Sequence, residues 1–241
     1  MLLIFLTTVS FAQDSTKNKV EWLEFNGYIK FMQTLAVSSD TTMFVDNLLH
    51  NRFNFQAFLS KKSTFHAEFR NRILYGNSVR NISGYAKLIN DYDGALPLEW
   101  LVIDNKSIIL SVIADRLYYD YTSDKVQFRA GRQRINWGIN TTWNPNDIFN
   151  SYNIYDFDYE EREGSDALRF KLFPNYYSSF DIAYKFTGDF NRDVFAAMYK
   201  FNKKDYDIQL LAGKIGEKIA AGGGWAGSIK LIGFKGEITY F

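Results

Sequence analysis

From Leu23 onward the chain alternates apolar and polar residues with a period of two, the pattern of strands with one apolar and one polar face. Leu23, Phe25, Gly27, Ile29 and Phe31 share one face; Glu24, Asn26, Tyr28 and Lys30 share the other. Phe53, Phe55, Ala57 and Leu59 oppose Arg52, Asn54 and Gln56. Phe65, Ala67, Phe69, Ile73 and Tyr75 oppose His66, Glu68, Arg70 and Arg72, with Asn71 as an exception. The rhythm returns in 117–121, 180–186, 195–201 and 206–212, then in the glycine-rich 221–230 and in 234–241. Short polar turns at Ser60-Lys61-Lys62-Ser63, Thr122-Ser123-Asp124-Lys125, Pro174-Asn175 and Asn202-Lys203-Lys204-Asp205 predict antiparallel hairpins. The pattern predicts roughly ten to twelve strands, many of about 9–11 residues, the length that crosses a bilayer at a tilt. Three stretches, 37–49, 76–106 and 139–164, break the rhythm and read as long loops. Short turns at one end and long loops at the other are the asymmetry of an outer-membrane barrel.

A soluble β-sandwich or solenoid also alternates. Two features favour the membrane. The apolar rows end in aromatics (Phe25, Phe31, Phe65, Tyr75, Phe180, Phe186), as interfacial girdles do. The opposite face sets His66, Glu68, Arg70 and Arg72 side by side, where a sandwich interior would be apolar. The fold class expected is therefore all-β: an antiparallel transmembrane β-barrel of outer-membrane type.

Composition narrows the field further. Aromatics make up 18% of the 241 residues, which excludes wholesale disorder. Twenty-eight basic against 27 acidic residues leave a net charge of +1, which argues against a nucleic-acid partner. The absence of Cys removes disulfides, thiolate zinc sites, thiol catalysis and a lipidated N-terminal Cys. No apolar run reaches about 18 residues, which argues against a helical membrane protein.

The N-terminus indicates a compartment. Residues 2–9 are mostly apolar and lead into Ser10-Phe11-Ala12, which reads as a secretory signal peptide cut after Ala12. Met1-Leu2 lacks the basic n-region, so the natural start is expected upstream. Residues 13–22 form a polar lead-in and 23–241 the barrel domain. Thr239, Glu237 and Lys235 do not fit the alternation of a terminal-Phe assembly signal, so Phe241 reads as a truncation point. The location expected is the outer membrane of a Gram-negative bacterium, after secretion across the inner membrane.

The chemistry concentrates after residue 125. Val126, Phe128 and Ala130 form an apolar row opposite Gln127 and Arg129. Strict alternation would then put Arg132 and Arg134 in lipid, at about 2–4 kcal/mol each near the midplane. A bulge at Gly131 is expected to turn both into the lumen; the other reading puts them at the headgroup rim. The next loop holds Asp147, Asp156, Asp158, Glu160, Glu161 and Glu163 among Tyr152, Tyr155, Phe157 and Tyr159. So many aromatics predict a loop packed on the barrel wall, its carboxylates facing Arg52, Arg70, Arg72, Arg116 and Arg129. The bland alternative is an outer loop bound to lipopolysaccharide through divalent ions. Pore-lining candidates are Arg52, His66, Glu68, Arg70, Arg72, Arg116, Arg129, Arg132 and Arg134. Constriction-loop candidates are Asp147, Tyr155, Asp156, Asp158, Glu160 and Glu161.

Gly131-Arg132-Gln133-Arg134-Ile135-Asn136-Trp137-Gly138 continues through Trp143-Asn144-Pro145-Asn146-Asp147 to Arg162-Glu163-Gly164 and Asp166-Ala167-Leu168-Arg169. This stretch resembles porin-like outer-membrane barrels of Gram-negative bacteria, including families of unassigned substrate with a Gly-Arg-Gln…Trp-Gly motif. The motif resemblance spans about 116–173, and Gly233-Phe234-Lys235-Gly236-Glu237 is similar in style. It implies a passive or selective pore, with the loop folded into the lumen as a constriction, in barrels longer than this chain.

Enzyme signatures are absent from the sequence. There is no Gly-x-Ser-x-Gly, His-Glu-x-x-His or phosphate loop. His50 and His66 are the two histidines, and His66 reads as a polar lining residue. Gly222-Gly223-Gly224 lacks a following Lys and helix and reads as a crowded strand. Asp156-x-Asp158-x-Glu160 lacks the glycine and spacing of an EF-hand loop. No cofactor or metal is expected. The function expected is a channel for small hydrophilic solutes, in contact with outer-membrane lipid, with room for a homo-oligomer. The alternatives are a transporter of hydrophobic compounds and a non-transporting surface or adhesion barrel; an enzyme ranks last.

Overall fold

The structure is a computed structural model that describes residues 5–9, 22–37, 43–90, 94–140, 144–149 and 164–241. Its strands are β1 (Phe5–Val9), β2 (Leu23–Val37), β3 (Met43–Ser60), β4 (Ser63–Gly76), β5 (Glu99–Asp104), β6 (Ile109–Thr122) and β7 (Val126–Gln133). They continue as β8 (Ser165–Asn175), β9 (Ser178–Lys185), β10 (Val194–Lys203), β11 (Tyr206–Ile215), β12 (Lys218–Ile229) and β13 (Ile232–Tyr240). Two short helices, α1 (Asn77–Asn81) and α2 (Tyr85–Ile89), follow β4. All thirteen strands belong to one antiparallel sheet, ordered β1-β2-β3-β4-β6-β7-β8-β9-β10-β11-β12-β13, with β5 added beside β6. Among the described residues no ladder joins β1 to β13. The sheet is therefore open, where the sequence pattern leads one to expect closure.

Alternation sorts the side chains. One face carries Phe25, Ile29, Phe53, Phe55, Phe65, Phe170, Phe195, Leu210 and Ile238, all exposed; Phe25 and Ile29 keep 48% and 50% of their surface. The other carries His50, Arg52, Arg70, Arg72, Asp115, Arg169 and Asp181, all buried, with Arg70 only 1% exposed. This is the reverse of a water-soluble sheet, which turns its apolar face to the core. Rings line up across the strands of the apolar face, with Phe25 and Phe55 centroids 4.8 Å apart. The exception Asn71 lies opposite Asn51 and donates a 2.7 Å amide hydrogen bond to it. Gln33 and Asn47 form a similar outward pair at 2.9 Å. Polar residues on the apolar face thus satisfy each other.

The two ends of the sheet differ. At one end, turns of two or three residues join β3 to β4, β6 to β7, β8 to β9, β10 to β11 and β12 to β13. The turn after β8 falls at Tyr176-Tyr177, two residues beyond the expected Pro174-Asn175. At the other end the β11–β12 turn, 216–217, is also short, whereas the connections from β4 to β5 (77–98), from β7 to β8 (134–164) and from β9 to β10 (186–193) are longer. Asp193 closes the last of these. Burial pushes its carboxyl up, but donation from the Tyr184 hydroxyl (2.6 Å) and from Thr187 outweighs this and holds it below the usual carboxylate range.

Two of the expected interruptions are shorter than the pattern implies. β3 starts at Met43 and pairs with β2 from Val37↔Met43 onward. The alternation fails there because Asn47 and Asn51 face outward in amide pairs while Leu48 faces inward. Within 76–106 the chain forms α1, α2 and β5. Val79, Ala86 and Ile89 pack with Ile109, and with Leu74 at their margin, so the polar face of β4 and β6 is apolar at that end.

β5 and β7 share one side of β6: β5 pairs with Ile109–Ile113 and β7 with Leu117–Thr122. Gly131, at φ +116°, lies where β7 runs closest to β6; a Cβ there would meet the Leu117 carbonyl oxygen at 2.3 Å. Gly131→Ala is expected to lower stability by about 1–3 kcal/mol through this strain. Its urea unfolding midpoint in detergent micelles, compared with the parent's, measures the loss.

Candidate functional site

The polar face is the candidate site, in two parts. The first spans β2–β7. Lys30, His50 and Arg72 form one row across β2, β3 and β4, and Tyr28, Arg52 and Arg70 form the next. Asp115 reaches this group from β6. The β4–β6 ladder shifts register between Glu68 and Phe69, opposite Arg116 and Ala114, so Asp115 is the extra residue of a bulge. Its two carboxylate oxygens accept from Arg52 Nη1 and Arg70 Nη2, each at 2.9 Å. Arg52 also pairs with Glu68 and donates to Asn54 at 3.0 Å. Arg72 donates to the Ile89 carbonyl and to Asn90, each at 2.9 Å, tying α2 to the wall. Near the short turns Arg129 pairs with Asp120 and lies 5.3 Å above the Tyr118 ring. His66 stacks on the same ring with centroids 4.5 Å apart.

Buried guanidinium groups require this pairing. Removing one partner of a buried ion pair costs about 3–5 kcal/mol, because a desolvated charge is left behind. Carboxylates are interspersed among these cations for that reason.

The second part spans β8–β13. After Gln133 the chain leaves the sheet and crosses its polar face. Ile135, Trp137 and Phe149 are buried there against Ala167, Ala183, Ala196, Met198 and Leu211. The Trp137 and Phe149 rings meet edge-on at 4.8 Å. Trp137 Nε1 donates to Asp181 at 3.0 Å, and Gln209 donates to the Trp137 carbonyl at 2.7 Å. Arg169 completes Asp181 in a bidentate pair with contacts of 2.6 and 3.0 Å. Farther along, the Asn140 N–H donates to Glu237 at 3.2 Å and Asn146 to the Gly223 carbonyl at 3.0 Å. A Cβ on Gly224 would lie 2.8 Å from Ile139 Cδ1, and one on Gly222 2.9 Å from Asn146 Oδ1. The glycine run is a crowded strand, as the pattern implies, and the crowding comes from this inward segment.

The expected residues fall as follows. Arg52, His66, Glu68, Arg70, Arg72, Arg116 and Arg129 all lie on the polar face. The register flip expected at Gly131 is absent: both ladders of β7 run through it without a shift. Arg132 stays in the row of Leu117 and Asp166, yet it is fully buried. It fills the junction where β5 takes over from β7, bonding Asp166 (2.8 Å) and the Leu96 carbonyl (2.7 Å). Arg134 is exposed beyond the end of β7. Asp147 lies half-buried within the inward segment, while Tyr155, Asp156, Asp158, Glu160 and Glu161 fall outside the described residues.

Among the described residues, Asp115, Glu68 and Asp120 balance the arginines of the wall. Asp115, Asp181, Lys30 and His50 were missed by sequence reasoning. Asp181 and Lys30 stood in the alternation and were passed over because they were not part of a cluster along the chain. Asp115 points inward only because of the bulge, for which the sequence carries no signal. Comparison with family models, with curated proteins and with solved structures finds no match to this chain.

Asp181→Ala removes the shared partner of Arg169 and Trp137. It is expected to cost about 3–5 kcal/mol and to bring Trp137 into water. In a chain with Trp137 as its single tryptophan, the fluorescence maximum should shift to the red; an unchanged maximum would show that Asp181 does not hold the segment.

Proposed function

We propose that the chain forms the wall of a porin-like outer-membrane β-barrel that passes small hydrophilic solutes. The observation that carries this reading is the inverted burial: apolar rows exposed on one face, paired charges enclosed on the other. Acyl chains are the solvent that such an exposed face suits, and water and polar solutes are what the charged face suits. The unequal ends support the same reading, short turns facing the periplasm and long segments facing outward.

In hydrocarbon each unpaired backbone group costs several kcal/mol, so the free edges must be covered in the bilayer. In this reading residues 1–12 are a secretory leader, and β1 occupies an edge of β2 that its removal opens. β2 and β13 run in the same direction. An all-antiparallel wall therefore closes through an odd number of further strands, from this polypeptide or from another copy. The inward segment, residues 134–140 and 144–149, narrows the passage. It also fills the apolar patch on the inner face with the chain's own Ile135, Trp137 and Phe149, which favours hydrophilic over hydrophobic cargo. Positioned charges then act on solutes through charge and size, with no bond made or broken.

The test is planar-bilayer recording of the purified protein in a salt gradient. Arg70 and Arg72 are exchanged together for Gln, because Glu beside Asp115 would bury like charges. The expected result is an open channel whose reversal potential moves toward the cation potential in the variant. An unchanged reversal potential would remove these arginines from the permeation path, and absence of conductance from a folded, inserted protein would refute the channel.

A further inference from the structure

We infer that Asp115 is a specificity-determining residue of the inner wall: it clamps Arg52 and Arg70 in place and screens their charge from passing solutes. This rests on the channel reading above. Asp115 is 2% exposed, and each carboxylate oxygen takes a different guanidinium at 2.9 Å. Arg52 comes from β3 and Arg70 from β4, with the two residues directly opposite in the ladder. Without an acid between them, two cations held this close would repel. The β6 bulge delivers that acid, and the Arg116 guanidinium beside it donates to the Asp115 backbone carbonyl at 2.6 Å, fixing the bulge. Lys30, His50 and Arg72 make the neighbouring row basic as well. Asp115 is a carboxylate enclosed by this basic cluster, and neutralising it leaves the cluster with one compensating charge fewer.

Glu68 is not equivalent. Among the described residues its ion pair is with Arg52, and its side chain is 26% exposed against 1% for Asp115. Water screens it, and Arg52 stays clamped by Asp115 when Glu68 is neutralised. Asp115 thus acts as a positioning residue through two arginines, and Glu68 through one.

The experiment is the chloride-to-potassium permeability ratio of the full chain in planar bilayers, for the parent, Asp115→Asn, Asp115→Glu and Glu68→Gln. Asp115→Asn is expected to raise the ratio roughly tenfold, about threefold for each ion in opposite senses, the size of a unit charge acting across about 6 Å of water. Asp115→Glu, which keeps the charge, is expected to return it to the parent value, whereas a purely structural role would leave both variants altered alike. Glu68→Gln is expected to change the ratio by less than half as much. An Asp115→Asn channel with the parent's ratio overturns the inference. Should Asp115→Asn fail to insert, Glu68→Gln decides: a small change supports the assignment, and a shift as large as that expected for Asp115 overturns it. If the Arg70 and Arg72 double exchange leaves the reversal potential unchanged, the wall reading itself has failed; if that exchange shifts it and Asp115→Asn does not, only this inference has.

Discussion

Charges sealed inside a sheet whose outer surface is apolar must all find partners, and that constraint organises this molecule. A buried guanidinium carries a desolvation penalty of several kcal/mol unless a carboxylate and further acceptors replace its water. The chain meets the requirement locally: Asp115 between Arg52 and Arg70, Asp120 with Arg129, Asp166 with Arg132, Asp181 with Arg169. Each acid stands on a neighbouring strand or the next one over. The pairs therefore lock register as well as charge, since a slip of one residue would turn every partner to the other face.

The same economy explains the inward segment. Ala167, Ala183, Ala196 and Ala220, with Gly222 and Gly224, keep the floor of β8–β12 low, and Trp137, Phe149 and Ile135 fill the space above it. Asp181 serves both systems, accepting from Arg169 on the wall and from Trp137 on the segment. The position of the segment is thereby coupled to the charge arrangement beneath it. At the other side, α2 is joined to the wall through Arg72. Among the described residues, α2 and the segment carrying Ile135, Trp137 and Phe149 thus lie over the polar face.

Much of this was legible in the sequence. The two-residue alternation locates β4 and β9–β13 and sorts the faces of β4, β9, β10, β11 and β13, because in those strands one face is apolar, Asn71 excepted. It faltered at 43–51, where Asn47 and Asn51 face outward in amide pairs, and at 109–114, where Ile109 and Ile113 face inward beneath or beside the helical cap. In both places tertiary partners replaced the solvent that the pattern assumes. The candidate arginines of β3–β7 were readable as a polar row. Their acids were not: Asp115 depends on a bulge, and Asp166 shares a row with apolar residues, where the Leu96 N–H just before β5 donates to it. The bulge looked for at Gly131 occurs at Asp115 instead; Gly131 accommodates its close approach to β6 through a positive φ and no side chain.

The account turns on which medium each face meets. The direct measurement compares two single-tryptophan chains in vesicles, one with Phe55→Trp on the apolar face and one with Asn54→Trp on the polar face. Lipids brominated on their acyl chains should quench the tryptophan at position 55 and leave that at 54 bright, while aqueous iodide should fail to reach position 55. Quenching of position 54 by the brominated chains, with position 55 open to iodide, would contradict the account.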